Sequence, residues 1–240
     1  MVLFGFGREH ADEVDASLKV GAFAVSEPGL LRQDNQDHVF VDEERLVYCV
    51  ADGVGGAEEG ARASEIVCRN VKMMLAAAPS DFAARVEAVG QAVADANSAI
   101  FAHAREHGYD AMGSTVAVMV LDPKNPRHAA ICHVGDSRVY RIRGGMPQRL
   151  TRDHRCESGA NTLTRAVGAA ETVAADWFEI TSTNPSRFII CTDGVHDVES
   201  ETRLAVFVAA GPIESAAQRL SADILRRGAP DNYSFVIVEV

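Results

Sequence analysis

Five aspartates in this chain each stand at one end of an apolar, strand-like run: Asp37, Asp52, Asp136, Asp193 and Asp231. Glycine follows two of them and precedes a third, and a glycine at such a position lets backbone or ligand approach closely. Each strand end places its carboxylate at the rim of a buried sheet. Several such rims meeting at one point would form an oxygen-lined pocket with a large negative charge, which hard divalent cations can neutralise. The sequence therefore predicts a divalent metal centre.

The net charge and composition limit the partners of the chain. Its 240 residues suffice for one large domain, and 47% hydrophobic with 24% charged residues is ordinary for a globular protein. The formal net charge of −11 argues against a nucleic-acid partner, because phosphate backbones bind basic surfaces. A phosphorylated protein stays compatible if metal ions and an arginine reverse the local field. No apolar stretch approaches the roughly 18 residues of a membrane span, so no membrane association is expected.

The cysteines and the first residues indicate the compartment. The five cysteines are odd in number and far apart, a pattern typical of a reduced, cytosolic protein. Cys49, Cys132 and Cys191 lie inside apolar runs and are predicted to be buried thiols, whereas Cys156 lies in a polar segment. The first seven residues are too short for the apolar core of a signal peptide. We therefore expect a cytoplasmic protein.

The hydrophobic pattern predicts an irregular, acidic leader at residues 1–18 and one domain at residues 19–240. Strands are predicted at 19–26, 39–41, 45–51, 114–121, 128–134, 138–143, 146–150, 173–180, 187–191 and 233–240. Helices are predicted at 58–78, from a Ser80-Asp81 cap to about Gly108, at 202–209 and at 213–227. Because the helices come in pairs between groups of strands, we predict an α+β fold in which an antiparallel sheet sandwich is flanked by helices.

Several motifs allow more than one interpretation. Arg32 follows a Pro-Gly turn and could hold a phosphate with its planar fork or be a solvated loop residue. The segment from Cys132 to Arg138 matches the C-x5-R loop of cysteine-dependent phosphatases. That loop must present a helix N-terminus to phosphate, but here a strand pattern continues and Asp136 would oppose the anion, so Cys132 is predicted to be a core thiol. His196 could be a proton donor at the edge of the site or a turn residue. The remaining histidines are interpreted as scattered, without a zinc-binding spacing.

Two Asp-Gly pairs are also ambiguous. The glycine-rich segment at 51–56 follows a hydrophobic strand, but it lacks the G-x-G-x-x-G and GK[ST] spacings of nucleotide loops. Asp52 at its start favours a ligand-binding turn over a purely structural one. The pair Asp193-Gly194 would by itself be a common turn.

Taken together, the motifs resemble those of the metal-dependent protein serine/threonine phosphatases, the PPM or type 2C family, in its bacterial form. The resemblance covers about Lys19 to Val240. Each motif alone is weakly specific, but eight in the order of the family are highly specific. They are Arg32…Asn35-Gln-Asp37, Ala51-Asp-Gly53, Gly113-Ser-Thr115, Val134-Gly-Asp-Ser-Arg138, Leu150-Thr-Arg-Asp-His154, Leu163-Thr-Arg-Ala-Val-Gly168, Cys191-Thr-Asp-Gly194 and Asp231-Asn232.

The resemblance implies a four-layer α-β-β-α sandwich, with two central antiparallel sheets and an antiparallel helix pair on each side. It also implies a pair of Mn²⁺ or Mg²⁺ ions bridged by Asp52 and a weaker third ion held with the help of Asp136. Arg32 would bind the substrate phosphate, and Asp37 would orient metal-bound water from behind the ligands. The remaining protein ligands of the ion pair would be the Gly53 carbonyl, Asp193 and Asp231.

The implied activity is hydrolysis of phosphoserine and phosphothreonine in proteins by in-line attack of a metal-activated water, without a phosphoenzyme. Such an enzyme, expected to be monomeric, would oppose a serine/threonine kinase in bacterial signalling, with type VI secretion and cell-wall control as examples. The alternative from another class is a pseudophosphatase, a binding module on the same fold. Retention of Asp52, Asp193, Asp231 and Arg32 favours catalysis.

Three departures from the family pattern bear on the site. Gln36 stands where relatives often carry glutamate, and a neutral amide supports a cation more weakly. Val54 stands where eukaryotic relatives carry a histidine, which leaves water or His196 as candidates for the proton donor to the leaving group. Only eight residues separate His154 from Leu163, so the flap that borders the site in relatives is predicted to be short, with consequences for substrate access and the third ion.

Overall fold

The computed structural model of the protein describes residues 20–78, 80–156, 162–182 and 184–240. The strands are β1 Gly21–Glu27, β2 Asp37–Asp42, β3 Val47–Gly55, β4 Met112–Ser114, β5 Val116–Asp122, β6 Asn125–Val134, β7 Arg138–Arg143, β8 Met146–Arg149, β9 Asp176–Thr181, β10 Arg187–Cys191 and β11 Tyr233–Glu239. The helices are α1 Ala57–Ala77, α2 Phe82–His107, α3 Asp193–His196, α4 Glu201–Ala209 and α5 Ile213–Arg226.

Two sheets form the centre of the fold. The first has the strand order β1-β11-β10-β7-β8, and the second has the order β2-β3-β5-β6-β9, with β4 paired to β3. All of the strand pairs with a recorded register are antiparallel. This topology confirms the predicted fold class.

Three apolar clusters hold the four layers together, and β3 shows how one strand serves two of them. Successive side chains of a strand point to opposite faces. Tyr48 and Val50 join the cluster between the two sheets, whereas Val47, Cys49 and Ala51 join the cluster beneath α1 and α2. Both faces of this strand are therefore buried, which explains its continuous apolar run. A third cluster packs α4 and α5 on the outer face of the first sheet.

The helix α2 begins and ends as predicted. The Asp81 side chain accepts a hydrogen bond from the Ala84 N–H at 3.1 Å, and Gly108 ends the helix with φ of 70°, a left-handed conformation that suits glycine. Val89, Val93, Ala96 and Ile100 form its buried face, while Phe82 and Val86 pack against the same cluster from partly buried positions.

Some boundaries differ from the predicted ones, and the differences shape the site. The strand predicted at 114–121 is interrupted at Thr115, whose N–H donates to the Asp52 carbonyl at 2.8 Å. Its hydroxyl accepts from the Asp52 N–H at 2.9 Å. As a result, β4 pairs with the last three residues of β3, and Gly53 lies opposite Ser114. Asp52 therefore lies within β3 and not after its end, as the sequence had suggested.

Other differences are smaller. The first residue of β9 is Asp176, three residues later than predicted. The Asp193-Gly194 turn is the start of the short helix α3. The predicted leader, residues 1–18, lies outside the described residues.

The burial of the cysteines follows the prediction. Cys49, Cys132 and Cys191 are buried and Cys156 is half-buried, all as free thiols. Among the described residues, no helix is both long and apolar enough to cross a bilayer.

Candidate functional site

A cleft of about 610 Å³ brings most of the predicted site residues together. Four of the five aspartates line it, and they come from β3, from the turn after β6, from the start of α3 and from the turn before β11. The predicted residues on the cleft wall are Arg32, Gln36, Asp52, Gly53, Asp136, Asp193 and Asp231. Asp37 and His196 are buried behind this wall.

Cross-strand pairing places Asp37 beside Asp52, because the two are direct partners in the β2–β3 ladder. Only 4% of the Asp37 surface is exposed. Its Oδ2 accepts a hydrogen bond from the Thr192 hydroxyl at 2.8 Å, while its Oδ1 is buried without a hydrogen-bond partner. Burial raises the pKa of Asp37 to about 7, and the hydrogen bond from Thr192 opposes that rise only in part.

Burial and, after it, the charges of neighbouring carboxylates shift the pKa values of Asp52 and Asp193. Burial, followed by the charges of Asp37, Asp193, Asp136 and Asp231, raises the pKa of Asp52 well above its usual value. Burial also raises the pKa of Asp193, with Asp136 as the next cause. Burial and neighbouring carboxylates thus disfavour the ionised form of both acids in the metal-free protein. Such convergence of perturbed acids in a cleft is a feature of functional sites.

The donor set fits hard divalent cations. Carboxylates and backbone carbonyls are the ligands that Mg²⁺ and Mn²⁺ prefer, and bound cations reverse the pKa trend of their ligands. The positive charge of a bound cation would stabilise the Asp37 carboxylate, whose Oδ1 has no hydrogen-bond partner. It would also stabilise the ionised form of Asp52, which burial and neighbouring carboxylates disfavour. Asp52, Gly53, Asp193 and Asp231 all line the cleft and could hold such ions.

Gly53 is required where β3 passes close to the start of α1. A Cβ built on Gly53 would lie 2.0 Å from the Gly60 carbonyl oxygen and 2.8 Å from the Gln36 carbonyl oxygen, distances that no side chain tolerates. The Gly53 N–H donates to that same Gln36 carbonyl at 3.1 Å. Glycine is thus the residue that lets the backbone after Asp52 reach the cleft.

Gln36 connects several of these segments through its backbone. Its N–H donates to the Asn232 side chain at 2.9 Å, and its carbonyl accepts from the Ser64 hydroxyl at 2.5 Å. The Asn232 amide also donates to the Pro28 and Asp34 carbonyls, at 2.9 and 2.8 Å. These bonds tie the Arg32 loop and the segment before β11 to the core.

Two arginines enter the acidic cluster. Arg32 donates to Asp231 at 2.9 Å, and its side chain is 52% exposed, so it stands at the mouth of the cleft. Arg155 donates to Asp136 and, at 2.9 Å, to Asp193. Sequence reasoning missed Arg155, because it lies in a polar segment without periodicity. Its only signal was its position one residue after the Thr-Arg-Asp-His motif.

Two motifs with more than one interpretation involve His196 and the segment from Cys132 to Arg138. His196 is buried, its Nε2–H donates to the Asp136 carbonyl at 3.1 Å, and its Nδ1 lies 3.1 Å from Asp197 Oδ1. No histidine is among the described residues that line the cleft. Cys132 is fully buried within β6, and burial raises its thiol pKa to about 12, which favours an inert core thiol over a nucleophile. Arg138 belongs to β7 and pairs with Asp153.

The chain belongs to the protein phosphatase 2C family, because the model of that family matches residues 24–225. Among curated proteins, it is 28% identical over 235 residues to the serine/threonine protein phosphatase PstP of Mycobacterium tuberculosis. That match covers 90% of this chain and 44% of PstP, so the chain spans less than half the length of this relative. The serine/threonine phosphatase stp of Listeria monocytogenes is 24% identical, with 88% of this chain and 92% of that protein covered.

Solved structures agree with the fold and with the predicted metal dependence of the family. PppA, described as a key regulatory component of T6SS in Pseudomonas aeruginosa, superimposes with a TM-score of 0.85 at 27% identity, covering 91% of this chain and 96% of PppA. The catalytic domain of PstP in complex with two manganese ions gives a TM-score of 0.78 at 25% identity, covering 92% of this chain and 97% of that domain. The resemblance to a bacterial phosphatase family is thereby confirmed.

Proposed function

We propose that this protein hydrolyses phosphoserine and phosphothreonine in other proteins with the help of a pair of Mn²⁺ or Mg²⁺ ions. The observation that carries the proposal is the convergence of Asp52, Asp193 and Asp231 in one cleft, with the pKa of Asp52 raised by burial and by its neighbouring carboxylates. A bound ion pair would lower the pKa of its water and stabilise the oxygens of an in-line displacement. The family assignment supports this activity.

Each residue then has a definite task. Asp52, Asp193, Asp231 and the Gly53 carbonyl would hold the ions. Arg32 is exposed at the mouth of the cleft. Once its ion pair with Asp231 breaks, its guanidinium would bind a phosphate through two parallel hydrogen bonds. Asp37, fixed by Thr192, would accept a hydrogen bond from the attacking water. The proton donor to the leaving group would be water, because His196 lies behind the cleft wall.

The cellular role follows from the chemistry and from the relatives. A serine/threonine phosphatase acts on phosphoproteins and opposes a kinase, and we propose a cytoplasmic, monomeric enzyme of bacterial signalling. The similarity to PppA supports a part in type VI secretion, and the similarity to PstP and stp is consistent with other kinase-opposed pathways. The weaker third ion expected at Asp136 is not part of this proposal, since Arg155 already contacts that carboxylate.

A turnover assay with a phosphothreonine peptide tests the proposal. We expect phosphate release that needs Mn²⁺ or Mg²⁺, stops in chelator and is lost in Asp52→Asn. Asp95→Asn, which removes an exposed carboxylate from α2 outside the cleft, should leave the rate unchanged. Full activity in chelator, lost instead in Cys132→Ser, would overturn the assignment.

The same assay also tests the second candidate, a pseudophosphatase that binds phosphoproteins without turnover. Metal binding and phosphopeptide binding without phosphate release would establish that candidate. The retained ligand set Asp52, Asp193 and Asp231 on the cleft wall favours the enzyme.

A further inference from the structure

Arg155 places a positive charge inside the acidic cluster of the cleft. Its Nε donates to Asp136 Oδ2, its Nη2 donates to Asp193 Oδ2 at 2.9 Å, and the Asp197 carboxylate lies 3.8 Å away. The Arg155 side chain is 21% exposed and that of Asp136 only 7%. One guanidinium is therefore shared by carboxylates from the turn after β6 and from the start of α3.

The backbone holds this guanidinium in place. The His154 N–H donates to the Gly135 carbonyl at 2.8 Å, and the Thr164 N–H donates to the His154 carbonyl at 2.7 Å. Arg155 itself pairs with Leu163 in an isolated antiparallel bridge. The residue before Arg155 is thus bonded to the residue before Asp136, and Arg155 itself is paired with the segment at Leu163. These bonds fix the backbone from which the Arg155 side chain reaches its partners.

We propose that Arg155 is the resident cation of the Asp136–Asp193 pair and takes the place of a third divalent ion. The inference rests on the proposed metal-dependent function of this cleft. A guanidinium is always charged and its fork matches two acceptors. Because it is tethered, its effective concentration at the pair is of the order of millimolar. A weakly bound third ion must displace this guanidinium, so the chain would hold only the ion pair at Asp52. Arg155 would orient Asp193 beside that ion pair.

Counting bound metal tests this role without using turnover. At saturating Mn²⁺, equilibrium dialysis with elemental analysis should find one more Mn²⁺ per chain in Arg155→Ala than in the wild type, because Asp136 and Asp193 become free to bind it. Arg152→Ala, which removes an exposed arginine of the same segment, should leave the count unchanged. Equal counts in Arg155→Ala and wild type would refute the proposal.

Thermal stability gives a second readout of the same exchange. In chelator, Arg155→Ala should melt a few degrees below the wild type, because two carboxylates lose their counter-charge. Added Mn²⁺ should raise its melting temperature by more than it raises that of the wild type. An equal Mn²⁺-induced rise in both proteins would contradict the exchange.

A conservative variant covers the possibility that Arg155→Ala does not fold. Arg155→Lys keeps the charge, but a single ammonium lacks the fork, so we expect weak binding of an additional Mn²⁺ at concentrations where the wild type binds only the ion pair. Binding identical to that of the wild type would count against the proposal. Absence of phosphatase activity in a wild type that shows the predicted metal counts would refute only the proposed function.

A second cluster, independent of the cleft acids, lies near the end of α2. His103 and His107 are one helical turn apart with ring centroids 4.1 Å apart. One nitrogen of each ring and one oxygen of Glu106 lie within 4.8 Å of one another. The interpretation of the histidines as scattered was wrong here, since residues 103 and 107 have the i, i+4 spacing that lets two histidines share a metal on one helix face.

Hydrogen bonding prepares this pair for a ligand. The His107 Nδ1 lies 3.0 Å from the His103 carbonyl. A carbonyl can only accept, so Nδ1 carries the proton and the Nε2 lone pair is free. The Tyr109 ring stacks on His107 at 5.7 Å and an angle of 13°.

We propose that His103, His107 and Glu106 bind a late first-row divalent cation such as Zn²⁺. Two imidazoles and a carboxylate are a donor set that such ions prefer, in contrast to the all-oxygen cleft that suits Mn²⁺ or Mg²⁺. Tyr109 lines the cleft and stacks on His107, so the ion would sit beside the cleft wall and apart from the catalytic acids.

Calorimetric titration with Zn²⁺ in excess Mg²⁺, which fills the all-oxygen centre, tests the site. His103→Gln and His107→Gln should each weaken Zn²⁺ binding by about tenfold or more. His128→Gln, at a histidine paired with Glu179 elsewhere on the surface, should bind Zn²⁺ like the wild type. Unchanged affinity in both α2 variants, or Zn²⁺ binding that is lost in Asp52→Asn and kept in them, would refute the site.

Discussion

Replacing Asp37 by asparagine should stabilise the metal-free protein at neutral and higher pH. Asp37 is buried, and its pKa is raised from 3.8 to about 7, first by burial and then by the Asp193 charge. The folded protein therefore keeps a proton that the unfolded chain releases between about pH 4 and pH 7. Over that window the free energy of unfolding falls as the pH rises. Asparagine carries no charge and removes this penalty.

The magnitude follows from the size of the shift. A rise of about three pKa units at about 1.36 kcal/mol each corresponds to about 4 kcal/mol at pH 8. Asparagine keeps an acceptor for the Thr192 hydroxyl, and its NH2 takes the place of the Oδ1 that has no partner. The gain of Asp37→Asn over the wild type should thus rise from near zero at pH 4 to about 4 kcal/mol at pH 8.

Urea unfolding in chelator, followed by circular dichroism at pH 4, 6 and 8, measures this difference. Asp34→Asn, an exposed carboxylate three residues earlier, controls for the loss of one negative charge. A difference between Asp37→Asn and wild type that does not change with pH would refute the reasoning. So would a variant that is less stable than the wild type throughout.

Three further predictions concern single side chains. Gly53→Ala should destabilise the fold by about 3 kcal/mol or more in urea unfolding, because its Cβ would lie 2.0 Å from the Gly60 oxygen; an unchanged midpoint would contradict this packing. Gly90→Ala, where the nearest atom is Trp177 Cζ2 at 3.6 Å, should stabilise α2 by about 0.5–1 kcal/mol in the same assay, and a loss of stability would show that the site lacks room. Arg32→Ala should lower kcat/KM for a phosphopeptide by about tenfold or more, mainly through KM; an unchanged KM would show that Arg32 does not bind the phosphate.

The layer architecture could be predicted because it depends on local patterns. Alternation and continuous apolar runs indicate strands, and steps of three and four indicate helices, as the buried face of α2 shows. The Asp81 cap and the Gly108 stop are also local signals. The predicted ends of strands were wrong where a contact with a distant residue determines them. The strand β5 begins after Thr115 because Thr115 is bonded to Asp52, which lies 63 positions earlier.

The acids of the site could be named from the chain, but their partners could not. Asp136 and Arg155 are separated by 19 positions, and Arg155 and Asp193 by 38. No periodicity or spacing predicts a contact between a polar segment and two turns. His196 shows the converse, since the sequence left it open as a proton donor at the site, while the fold turns its ring to the Asp136 carbonyl behind the cleft wall.

The residue order alone predicts the five aspartates as site residues, the glycine after Asp52 and the paired helices. Together these features predict an α+β fold with a metal centre. Each of these depends on neighbours in the chain, through side-chain alternation, turn geometry and helix capping. The tertiary structure alone brings Asp52 against Asp37 and sets Arg155 between Asp136 and Asp193. The pKa values and the charge balance of the cleft arise from burial and from distances between remote residues, quantities that exist only once the sheets have packed.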